Sequence, residues 1–100
     1  MKVRWLRSAS ESLRRHKAYI AAENPAAAQR VGRQIRQSVL RLSEFPLSGQ
    51  PGHVIGTREL VVPRMPYIVV YRVGESAIEI LRVFHAASDW PAAFRSHRQE

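Results

Sequence analysis

Cysteine is absent from the 100-residue chain. Neither a disulfide framework nor a thiolate metal site can exist in it, and a reducing compartment is permitted. Acidic residues are scarce: 8 Asp and Glu stand against 16 Lys and Arg, giving a net charge of +8 and a pI near 11.3. Lysine occurs only at Lys2 and Lys17, so nearly all the positive charge is guanidinium. Such an excess points to nucleic acid, an anionic surface or an acidic protein partner, and alone it does not choose among them. No apolar run approaches the ~18 residues of a membrane-spanning helix, and Met1 to Trp5 has no apolar signal core behind it. The expectation is a soluble, cytoplasmic protein with no membrane partner. His16, His53, His85 and His97 lack the i, i+4 or carboxylate spacing of a metal site, and no Gly-rich loop opens a helix in a phosphate-cradling pattern. Neither a metal nor a cofactor is expected.

What is present suffices for one compact domain over residues 1–100, since 45% of the side chains are hydrophobic. Three β-branched and aromatic runs, Val61-Val62, Ile68 to Tyr71 and Ile78 to Leu81, are broken at Pro63, Pro66 and Gly74 and read as successive strands. The Val73-Gly74-Glu75-Ser76 turn joins the last two, in a register that leaves the face taken by Arg72 open. Upstream, Val3 and Trp5 alternate with Lys2 and Arg4, as in an edge strand. Ser8 to Glu11 has capping-box spacing, and Ala9, Leu13, His16 and Ile20 then form a thin helical stripe. Asn24-Pro25 ends that helix and starts a second, whose seam is Ala28, Val31, Ile35, Val39 and Leu42. Phe45-Pro46 stops it, Leu47 to Gly56 reads as a surface loop, and Asp89-Trp90-Pro91 opens a short helix reaching Phe94. The fold class expected is α+β, with an N-terminal strand and an antiparallel helical hairpin packed on an antiparallel β-sheet.

This order, with Asn24 to Ala28, the Phe45-Pro46-Leu47-Ser48-Gly49-Gln50-Pro51-Gly52 loop, Gly56 to Leu60, Tyr67 to Val73 and Ile80 to His85, resembles the RelE/ParE superfamily over essentially the whole chain. These are toxins of bacterial type II toxin–antitoxin systems. The resemblance implies a cytoplasmic toxin that arrests growth and is silenced by a cognate antitoxin. RelE-like members cut messenger RNA on the ribosome, and ParE-like members block DNA gyrase. The scarcity of lysine departs from the RelE branch, while the Pro46 to Gly52 loop and the Ile80 to His85 strand look more like the ParE branch.

Metal-free RNA cleavage needs a base, an acid and cations for the charge that builds on the phosphate. Arg58, Glu59, Arg82 and His85 are the candidate catalytic residues if the chain is a nuclease. Arg64, Arg72 and Tyr71 are candidates for holding RNA or another target, through guanidinium forks and a stacking ring. Each has a plainer reading, as a solvated charge, a structural ion pair, a packing ring or a hydrogen-bonded histidine. For an acidic, amphipathic antitoxin segment the candidate contacts are Leu13, Ile20, Val31 and Ile35, shared with the core, together with Trp90 and Phe94. A generic basic nucleic-acid-binding module is the unrelated alternative, although the chain has neither an RNA-recognition sheet motif nor a recognition helix.

Overall fold

The computed structural model describes residues 1–87. Strand β1 (Lys2–Trp5) leads into helix α1 (Arg7–Ala21) and helix α2 (Pro25–Leu40), which ends in a 3₁₀ turn over Arg41–Ser43. Four strands follow: β2 (Gln50–Pro51), β3 (Arg58–Val61), β4 (Tyr67–Val73) and β5 (Ala77–His85). They make one sheet in the order β1-β5-β4-β3-β2. Strands β2 to β5 are mutually antiparallel as expected, whereas β1 joins the edge of β5 in parallel, making the sheet mixed.

Local chemistry accounts for most boundaries. The Asn24 side chain accepts a 3.0 Å bond from the Ala27 amide and Pro25 takes the first helical position, as the Asn-Pro pair predicts. The start of α1 differs from expectation. Leu6 is the cap residue and makes no side-chain cap bond, while the Ser8 hydroxyl, expected to form a capping box with Glu11, donates instead to the Leu81 carbonyl at 2.6 Å. A serine one residue inside the helix finds a better acceptor on the neighbouring strand than on its own backbone. The Leu47–Gly56 stretch also contains the two-residue strand β2, paired to Glu59 and Arg58.

The core lies between the helices and one face of the sheet. Leu13, Ile35, Val39 and Leu42 meet Val69, Tyr71, Ile78, Ile80 and Val83, all nearly inaccessible. Burying each of the aliphatic side chains contributes about 1.5–3 kcal/mol. Alternation alone would not put both Ile80 and Val83 on this face. Val70 pairs with Arg82 and Tyr71 with Ile80, which leaves Leu81 bulged out of the ladder and shifts the inward set by one residue. A smaller cluster of Val70, Phe84 and Leu81 occupies the opposite face. Gly74 donates to the Ala77 carbonyl at 2.8 Å around a Glu75-Ser76 tip, Val73 pairs with Ile78, and Arg72 faces away from the helices beside Glu79.

Candidate functional site

On the sheet face turned from the helices, Glu59, Val70 and Arg82 are in register across β3, β4 and β5. Glu59 is only 3% exposed, and one carboxylate oxygen accepts the His53 backbone amide at 2.7 Å and meets His53 Nδ1 at 2.8 Å. It therefore clasps the 52–57 loop and is not presented to a substrate as a base. Arg82 is exposed, with its guanidinium carbon 5.3 Å from the centre of the Phe84 ring. Arg72 grips Glu79 through Nε at 2.9 Å and Nη2 at 2.5 Å, with Arg4 at 3.7 Å from the second oxygen. The hydrogen bond from Arg72, aided by the charges of Arg72 and Arg4 and opposed by desolvation, holds the Glu79 carboxyl below the usual range.

The helix-facing side holds Arg58 opposite Tyr71. Tyr71 was expected to offer its ring to a target, but it is 0% exposed. Its hydroxyl donates to the Pro46 carbonyl at 2.7 Å and accepts from the Gly49 amide at 2.9 Å. Burial raises the phenol's pKa, against the Gly49 bond and the charge of Arg58. Arg58 Nη1 reaches the Gly49 carbonyl at 2.5 Å, so it too is bound to the 46–49 loop. A Cβ on Gly49 would lie 2.7 Å from the Tyr71 ring and hydroxyl and 2.8 Å from the Glu59 carbonyl, which explains glycine at this close approach.

At the far end of β4 and β5, Tyr67 pairs with His85 and stands edge-on to it and to His16, each at 5.3 Å between ring centres. His16 Nε2 lies 3.1 Å from the Val83 carbonyl, and His85 Nδ1 accepts from the Ala87 amide at 3.2 Å. The turn bearing exposed Arg64 adjoins this cluster, since Ala86 donates to the Pro66 carbonyl at 2.7 Å. His16 and Tyr67 escaped sequence reasoning as members of a cluster because only the sheet register brings them to His85.

The four residues expected to form a nuclease centre therefore do not converge. Glu59 and Arg82 lie on one face of the sheet, Arg58 and His85 on the other, and the last two are separated by about 13 Å of strand, four residues of β4. The expected antitoxin contacts also divide. Leu13 (1% exposed) and Ile35 (0%) are core residues and cannot meet a partner, because the helical seam is consumed by the sheet. Ile20 and Val31 are half-buried against the same core. Trp90, Phe94 and the short helix expected around them lie outside the described residues.

Two helices laid on a sheet in this strand order define the class: a toxin of the RelE/ParE superfamily. Residues 3–90 match the family described as the ParE toxin of the type II toxin–antitoxin system parDE, and the chain belongs to that family. It is 43% identical over 90 residues to Y4kP of Sinorhizobium fredii, named as a candidate toxin, covering 90% of this chain and 93% of that one. It is 31% identical over 83 residues to Toxin RelE2 of Caulobacter vibrioides, covering 83% and 92% respectively. The structure is similar to one described as the chromosomal ParDE system from P. aeruginosa, with a TM-score of 0.80, 27% identity and coverage of 85% of this chain and 95% of that chain.

Proposed function

We propose that this toxin arrests growth by poisoning DNA gyrase and that a cognate antitoxin neutralises it. The observation that carries the gyrase reading is the dispersal of the cleavage set: Glu59 is closed off by His53, and Arg58 is held by the 46–49 loop on the other side of the sheet. A metal-free nuclease needs its base, acid and phosphate-binding cations within reach of one phosphodiester. Membership of the ParE family over residues 3–90 supports the same reading. Ribosome-dependent cleavage of messenger RNA is the second reading, favoured by the His16–Tyr67–His85 cluster beside the Arg64 turn.

Induction of the toxin alone in growing cells, scoring plasmid supercoiling and the integrity of a translated message, separates the two. The gyrase reading expects intact message with gyrase-linked DNA breaks or relaxed plasmid, and unchanged lethality in His85→Ala. Ribosome-dependent cuts that disappear in His85→Ala and Arg82→Ala would overturn it in favour of the nuclease.

A further inference from the structure

Helices α1 and α2 pack side by side, and the seam between them holds a cleft of about 530 Å³. Buried Leu13 and Ala28 lie at its base, and Arg14, Lys17 and Arg36 line it. Helical spacing brings the cations together: Arg14 and Lys17 are three residues apart on α1, Gly32 and Arg36 four apart on α2, so each pair shares one face. Lys17 is half-buried, and its Cε, Cδ and Nζ lie 3.0, 3.1 and 3.2 Å from the point that a Cβ on Gly32 would occupy. The lysine stem therefore crosses α2 over the bare backbone of Gly32. Glycine inside a helix is unfavourable relative to alanine, and here the room it leaves is filled by a cation. Arg36 is held from the other side, its guanidinium carbon 5.3 Å from the centre of the Trp5 ring. Stacking of that kind leaves the in-plane N–H donors open.

No carboxylate answers these three charges. From residue 7 to residue 40 the basic side chains are Arg7, Arg14, Arg15, Lys17, Arg30, Arg33 and Arg36, and the acidic ones are Glu11 and Glu23 alone. Neither glutamate lines the cleft, and among the described residues no ion pair involves Arg14, Lys17 or Arg36. Like charges gathered in one cleft repel one another until an anion enters it. The lining also says which kind of anion. No aromatic ring lines the cleft, so nothing there stacks a base, as a site for a single strand or a free nucleotide would require. The recognised group is then a phosphate itself, which suits guanidinium forks and an ammonium. Exposed Arg15 and Arg33 carry the positive field past the cleft along the same layer, which favours an extended polyanion over one small ion.

We propose that the α1–α2 cleft binds the phosphate backbone of duplex DNA, with Arg14, Lys17 and Arg36 as the phosphate contacts. The inference rests on the gyrase reading above, because a poison of that enzyme acts where duplex DNA is held. Binding through phosphates alone is indifferent to base sequence and strongly dependent on salt. The helical layer then grips DNA while the rest of the surface is left to meet protein.

The test titrates the purified toxin against a fluorescent DNA duplex of arbitrary sequence over a range of salt, with a single-stranded RNA and poly-glutamate as competitors. The cleft variant is Arg14→Gln with Lys17→Gln. Its control, Arg15→Gln with Arg30→Gln, removes the same charge from exposed positions of the same two helices that do not line the cleft. The cleft variant is expected to bind duplex at least about tenfold more weakly and to lower the log–log salt slope by about 1.8, at ~0.9 for each lost phosphate contact. The control should stay within about threefold of wild type, and both should keep the wild-type circular dichroism and melting temperature. Equal losses in the two variants would reduce the effect to net charge and overturn the cleft. Tighter competition by the RNA or by poly-glutamate than by unlabelled duplex would assign the cleft to another anion and overturn it too. A supercoiling assay with purified gyrase separates this inference from the reading beneath it. Gyrase poisoned by a wild-type toxin that does not bind duplex overturns the cleft and leaves that reading standing, whereas duplex binding lost only in the cleft variant, with gyrase unaffected, keeps the cleft and removes the reading.

Discussion

Tyr71 shows how one side chain changes meaning between sequence and structure. In the Tyr67-Ile68-Val69-Val70-Tyr71 run it has the spacing of a half-exposed strand tyrosine, yet it is fully buried with its hydroxyl shared between Pro46 and Gly49. Tyr71→Phe keeps the ring and removes both bonds, stranding the Gly49 amide in a buried position. The expected loss is about 1–3 kcal/mol, the penalty for an unsatisfied buried donor, measured as a lower urea midpoint at constant m-value.

At the scale of elements, α1 does more than cover the sheet. Ser8, Ser12 and His16 recur every fourth residue and form a polar column on its inward side. β1 pairs with β5 only from Ala77 to Ile80, so Leu81 and Val83 lie past its end, next to the bulge. The column serves them: Ser8 donates to the Leu81 carbonyl at 2.6 Å, Ser12 accepts from the Val83 amide at 2.9 Å, and His16 meets the Val83 carbonyl at 3.1 Å. Backbone groups that lose a strand partner need another, and the helix supplies it. Ser12 is 1% exposed whereas Ser10 points to solvent. Thermal and urea denaturation should therefore give a cost of about 1–3 kcal/mol for Ser12→Ala, and a change within about 0.5 kcal/mol for Ser10→Ala.

For the whole molecule, the dominant property is charge. Arg14, Arg15, Arg30, Arg33, Arg36 and Arg41 are all exposed on the helical layer and its end, contributing to the net +8. A field of this size steers an acidic partner over distances comparable with the Debye length, about 10 Å at 0.1 M salt. Stopped-flow association with the antitoxin should slow about tenfold or more between 50 and 500 mM NaCl, while dissociation changes less. A salt-independent association rate would show that the charge serves some other purpose. No helix among the described residues is long and apolar enough to cross a membrane.

The sequence by itself determined the two helices, the N-terminal strand and the three longer strands after them, in their order, but not the two-residue β2. Asn24-Pro25, the Val31–Ile35–Val39 seam and the β-branched runs carry their own local signals, since capping, helical spacing and alternation act over a few residues. It also carried the resemblance to the superfamily through short motifs in a fixed order. Only the tertiary structure decided which faces those elements turned to one another. A single bulged residue, Leu81, resets the inward face of β5, and the β3–β4 register sends Arg58 and Glu59 to opposite sides. The candidate catalytic residues were therefore legible as residue types and not as a site, because their convergence depends on pairings between distant segments. The open edge of β3 was illegible for the same reason: β2 stops short of Val61, and no local pattern in either strand encodes the length of the other.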